Sequence, residues 1–162
     1  MNIVALGFTD VSTFAASYVL KYRTRGTVLM LRDGEDGEIA NTPLLTEWKQ
    51  ARAILTRIKN AAAAFVGGKP PELGRVFLDT MTPGSSTPWQ VDESEYRRSY
   101  HQVRVCIIPS PGSMLYCGGE SYNLLWGMVT AVNVAALSSE VNFGPTARTH
   151  LIVDVKRPEA DL

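Results

Sequence analysis

"YHQVRVCIIPSPGSMLYCGGESYNLLWGMVTAVNV", residues 100–134, is the stretch on which the architecture turns. Tyr100–Ile108 has the alternation of a strand: Val103, Val105 and Ile107 share one face, and Gln102, Arg104 and Cys106 the other. The apolar face belongs in a core. Gln102 and Arg104 point to solvent or to a partner subunit, as one side of an antiparallel sheet allows. Beyond the PSPGS turn, Tyr122, Leu125, Trp126, Val129 and Val132 fall at roughly helical spacing. A second helix is therefore expected from Glu120 to about Val134, weakened a little by Gly127.

Upstream lies the strongest periodic signal. Thr42 suits a cap and Pro43 a first helical position, and Leu44, Trp48, Ala51, Leu55, Ile58, Ala62 and Phe65 then recur at alternating spacings of four and three. This predicts an amphipathic helix that stops at Gly67-Gly68, before Pro70-Pro71. Lys49, Arg52 and Lys59 lie on its other side and read as a solvated face. Arg75–Met81 reads as a strand, as do Ser138–Phe143 and Thr149–Arg157 around the GPTA turn. Near the N-terminus, residues 2–6 and 27–32 are short β-forming runs, and the segment between them leaves a βαβ opening and a β-rich arm equally open. Asp33–Glu38, DGEDGE, lacks the ligand register of a calcium loop and reads as an exposed acidic turn.

These elements predict an α+β fold, a mixed or mainly antiparallel sheet with two main helices packed on one face. Residues 1–162 form one domain in this reading, with 1–41 as the N-terminal arm and 82–95 as an extended polar loop or hairpin tip. The composition is globular: 45% hydrophobic and 20% charged residues, with 16 basic and 16 acidic side chains in balance. A general electrostatic footprint for nucleic acid is missing. No apolar run reaches bilayer length and the N-terminus has no signal-peptide pattern, so a soluble, cytoplasmic chain is expected. Cys106 and Cys117 read as reduced thiols.

Chemistry is thinly signalled. His101 and His150 each open a strand and read as edge histidines, without the spacing of a metal site, so neither a metal nor a cofactor is expected. Ser85 or Ser113 with His101 and Asp79 or Asp92 would compose a triad on paper, but Ser113 lacks the strand-to-helix elbow of a serine nucleophile. PSPGSMLYCGGES, linking the expected strand and helix, makes Gly112, Gly118 and Gly119 a candidate anion-binding turn.

RVFLDTMTPGSSTPW, from Arg75, resembles the strand and glycine/serine turn that open nucleoside deoxyribosyltransferase-like domains. That resemblance implies a carboxylate nucleophile on a later helix, with Glu120 in the role. The order of elements over residues 43–157 is similar to that of tailed-phage tail-terminator and neck-completion proteins. It implies a non-enzymatic structural or assembly protein that self-associates with its own copies and other subunits in a viral particle. Residues 82–95 would then reach a neighbour, with Trp89, Pro88, Tyr96 and Arg104 as interface residues. A small host-interaction or inhibitor protein is the third expectation.

Overall fold

The computed structural model describes residues 3–8, 27–32, 39–41 and 49–158. In chain order the elements are β1 (Ile3–Phe8), β2 (Thr27–Arg32), β3 (Ile39–Asn41), α1 (Lys49–Ala63), β4 (Leu73–Met81), β5 (Ser85–Ser86), α2 (Glu95–Ser99), β6 (Tyr100–Ile108), β7 (Ser113–Cys117), β8 (Glu120–Tyr122), β9 (Met128–Val132), β10 (Ser138–Asn142) and β11 (Arg148–Lys156). They form a seven-stranded sheet, β1-β9-β6-β11-β4-β2-β3, and a four-stranded sheet, β5-β10-β7-β8. All pairings among the described residues are antiparallel. From β4 onward the chain passes back and forth between the sheets, so β9-β6-β11-β4 faces β5-β10-β7-β8 as a jelly roll.

The expected sheet is present, but the second helix is not. Residues 120–134 form β8, a loop and β9 instead. Two backbone facts decide this. Cys117 pairs with Glu120, so Gly118 and Gly119, both at positive φ (57° and 85°), make a two-residue hairpin turn. Gly127, at φ 73°, then breaks the chain just before β9. The helical spacing was coincidental: Leu125 and Trp126 are exposed loop residues, while Val129 and Val132 lie on opposite faces of a strand.

Among the described residues the fold therefore has a single long helix, packed on one face of the large sheet. α1 packs Ile54, Leu55, Ile58 and Ala62, with Val66 just beyond its end, against Val76, Leu78, Val103, Val105, Leu151 and Val153 of the large sheet. Gly67 and Gly68 at positive φ end that segment, and Gly68 N–H donates to the Ala63 carbonyl. The expected start of this helix at residues 42–48, and the DGEDGE turn, lie outside the described residues.

Two further expectations about strand neighbours change. β4 and β6 are not a hairpin, because β11 lies between them. β1 and β2 pair antiparallel with β9 and β4 on opposite sides of the large sheet, which is not βαβ geometry. Between the sheets a second apolar cluster holds Ile3, Cys106, Leu115, Cys117, Leu124 and Val132. Both cysteines are free and buried there. No described helix is long and apolar enough to cross a membrane.

Candidate functional site

The alternation that puts Val103, Val105, Leu151 and Val153 under α1 points the intervening residues of β6 and β11 into the barrel. Register then sets them side by side. Gln102 is opposite Asp154, Arg104 opposite Ile152, and Cys106 opposite His150. On the flanking strands Thr130 is opposite Arg104 and Asp79 opposite His150. The interior is thus far more polar than a packed barrel requires.

Charge is arranged in two alternating chains. In the first, Asp79 pairs with Arg148 (2.7 Å), Arg148 with Glu140, and Glu140 with Arg104. Arg104 also donates from Nε to Gln102 Oε1 at 2.8 Å. In the second, Arg75 (3.1 Å) and Arg97 (2.5 Å) share Asp154, and Arg97 reaches on to Asp92 (3.1 Å). Tyr96 donates its hydroxyl to Asp154 at 2.9 Å, and Arg75 lies 4.0 Å over its ring. Burial and the Asp154 carboxylate push the Tyr96 phenol up to about 12, so it remains a donor. Burial also works against ionisation of Asp92, but hydrogen bonds from Ser94 and the Arg97 guanidinium outweigh it and hold that carboxyl below its ordinary value.

Between the two chains, lined by residues of both, is a cavity of about 100 Å³. Its ionised walls are Arg97, Arg104, Asp92 and Glu140. Thr87, Ser138 and Ser139 add hydroxyls, Gln90 and Gln102 add amides, and Leu115 and Val134 are its apolar contacts. Since the guanidiniums and carboxylates are matched, the cavity offers both donors and acceptors without a net field of one sign.

His150 lies in the row below this cavity, fully buried, with Nδ1 lacking a hydrogen-bond partner among the described residues. Burial, reinforced by Arg148 and Arg104, holds it well below the ordinary histidine value, so the ring is neutral. Although β6 and β11 do pair, His101 and His150 are not neighbours. His101 is opposite Val155, on the α1 side of the sheet, where its ring stands edge-on to Phe65 at 4.8 Å.

The residues singled out by sequence scatter. Glu120 is on β8, not a helix, and its carboxylate accepts from the Ile3 N–H at 3.0 Å. Gly118 and Gly119 are the β7–β8 turn, and Gly112 is in the β6–β7 turn, where its backbone is pressed against Gly144. With no helix after these glycines, the backbone N–H cradle expected there has no helix terminus behind it. Trp89 is 59% exposed, tilted against Tyr116. Pro88 is exposed beside it, whereas Tyr96 and Arg104 are interior. Ser85 and Ser113 are on β5 and β7 of the small sheet, whereas His101 is on β6 of the large one, facing α1.

No protein-family model matches the chain, and no curated protein sequence does. Solved structures do. AviO1 from Streptomyces viridochromogenes Tue57 superposes with a TM-score of 0.64 over 98% of this chain and 90% of its own, at 14% identity. A viral collagen prolyl hydroxylase from Paramecium Bursaria Chlorella virus-1, solved as a 2OG complex, gives 0.61 over 98% and 97%, at 7% identity. An oxidoreductase of the 2OG-Fe(II) oxygenase family from Burkholderia pseudomallei gives 0.58 over 81% and 66%, at 17% identity. The chain shares the jelly-roll fold of these structures. That fold overturns both resemblances: the element order behind the phage-assembly reading included a second helix that residues 120–134 do not make, and the later helix that the deoxyribosyltransferase reading implied for Glu120 is strand β8.

Fe(II) oxygenases of this kind hold their metal with two histidines and one carboxylate on one face. This chain does not fit that donor set. It has two histidines in all, and they occupy opposite faces of the large sheet. At the cavity mouth a carboxylate is present, Asp92, but its companions are the amide of Gln90 and the hydroxyl of Ser138. Among the described residues no group of three His, Cys, Asp or Glu side chains could hold a metal ion.

Proposed function

We propose that this chain is a small-molecule-binding protein built on the oxygenase jelly roll, and that its own residues do not assemble an iron centre. The ligand is small, polar and without net charge: a polyol, sugar or zwitterion whose groups pair with Ser138, Thr87, Gln90 and Gln102 between the guanidiniums and carboxylates. One observation carries the reading. His101 faces α1 while Asp92, Gln90 and Ser138 line the cavity, so two imidazoles and a carboxylate never share a face. Polar groups converging on a concave pocket, with Asp92 perturbed by burial and by its hydrogen-bonded and charged partners, mark a candidate ligand site.

The fold likeness favours a competing reading, an Fe(II)- and 2-oxoglutarate-dependent oxygenase, which needs imidazoles that this chain does not bring to the cavity. One experiment separates them. Thermal shift and calorimetry with polyols, sugars and amino acids, each with and without Fe(II), should show stabilisation by a neutral or zwitterionic compound that does not depend on metal. Oxygen consumption coupled to 2-oxoglutarate decarboxylation by the purified chain would overturn the proposal, as would a panel in which nothing binds.

A further inference from the structure

The first charge chain contains an oddity. Arg148 is 1% exposed, and Arg104 is nearly as buried, yet both converge on one carboxylate, Glu140. Arg104 and Glu140 line the cavity, whereas Arg148 does not and meets it only through its ion pair with Glu140. Burying a guanidinium is costly unless it is paired. Two of them around one anion, at the floor of a cavity, are what a site for a ligand carboxylate consists of. Here the anion belongs to the chain.

We infer that Arg104 and Arg148 form a carboxylate subsite whose built-in occupant is Glu140, and that Glu140 thereby determines the cavity's specificity, excluding dicarboxylates. The inference rests on the reading of the barrel as a ligand cavity. With Glu140 in place, Asp79, Arg148, Glu140 and Arg104 balance in charge, and an entering anion meets a neutral floor with a carboxylate at its surface. Removing that carboxylate leaves one uncompensated positive charge and a hole open to the cavity. An exogenous carboxylate then fits both the charge and the space, since Glu140→Ala removes a group the size of acetate.

The test compares wild type, Glu140→Ala and Glu140→Gln by calorimetry with acetate and 2-oxoglutarate, and by thermal melts in acetate against chloride at equal ionic strength. Glu140→Ala should bind both anions at least tenfold more tightly than wild type, and acetate but not chloride should restore its lowered Tm. Glu140→Gln, whose amide fills the space, should not be rescued. Equal anion affinity in wild type and Glu140→Ala, or equal rescue by chloride, overturns the inference. If Glu140→Ala does not fold in chloride, refolding from denaturant decides: recovery in acetate supports the subsite, and failure in both salts sinks it. A gain of acetate binding in Glu140→Ala, alongside a wild type that ignores every neutral compound, would keep the subsite and remove the proposed function.

Discussion

Gln90 and Ser138 exchange two backbone hydrogen bonds across the cavity mouth, Gln90 N–H to Ser138 O at 3.0 Å and Ser138 N–H to Gln90 O at 2.9 Å. Residues 48 apart in sequence are thereby locked side by side, with Asp92 two positions further along and also lining the cavity. Three side chains, an amide, a hydroxyl and a carboxylate, thus line one cavity from neighbouring backbone positions.

Replacing the amide and the hydroxyl should supply the missing imidazoles. The double substitution Gln90→His and Ser138→His is expected to create a Co(II) or Mn(II) site with Asp92 as third ligand, while wild type binds neither appreciably. Calorimetry and the Co(II) visible spectrum read the gain, and its loss in a triple variant carrying Asp92→Ala assigns the carboxylate.

Breaking the first charge chain from its buried end should be expensive. Arg148→Met leaves Glu140 and Asp79 each short of a guanidinium inside the barrel, and a loss of about 3–5 kcal/mol is expected for an orphaned buried charge. The urea midpoint should fall with an unchanged slope.

His150 makes stability depend on pH in a definite direction. Burial favours the neutral ring in the folded chain, while the unfolded chain titrates near the ordinary value of 6.5. The unfolded state therefore binds the extra proton first, so this contribution is complete above about pH 6.5 and declines as the pH falls below it, by at most about 1.4 kcal/mol per pH unit. Asp92 acts in the same sense at lower pH, because its depressed folded value means its contribution is lost only as acid protonates the carboxylate. Denaturation curves from pH 7.5 to 5 should show the histidine slope, and His150→Gln should flatten it.

Gly74 sits where a Cβ would overlap the Tyr96 hydroxyl and the Tyr100 ring, and the two tyrosine rings are stacked at 4.4 Å. Gly74→Ala should push that stack away and weaken the Tyr96–Asp154 hydrogen bond, with a Tm loss and a changed near-ultraviolet dichroism band. By contrast, the buried cysteines should stay silent. With burial raising both thiols, Cys106 to about 12, neither should react with a thiol reagent until the chain unfolds.

Much of the barrel was legible in the sequence, because a strand half-buried on each side writes its alternation into the residues. Val103, Val105 and Ile107 against Gln102, Arg104 and Cys106 is such a pattern, and Leu151, Val153 and Val155 against Ile152 and Asp154 repeats it. The site left a fainter mark: ionisable residues such as Arg104, Arg148 and Asp154 on the second face of otherwise apolar strands. With no sheet yet built opposite, that face reads as solvent. Residues 120–134 misled because five residues at helical spacing outweighed the Gly118-Gly119 hairpin turn and the positive-φ Gly127 that break the run.

Local sequence, then, determined β4, β6, β10 and β11, the amphipathic α1 and the glycine stop behind it, since each depends on interactions within a few residues or one face. Tertiary structure decided the rest. Whether Arg104 meets water or Glu140, whether His101 and His150 share a face, and whether Gln90 meets Ser138 all follow from the folding of one sheet over another. That pairing joins residues through register across strands distant in the chain, and register is a property of the assembled sheets.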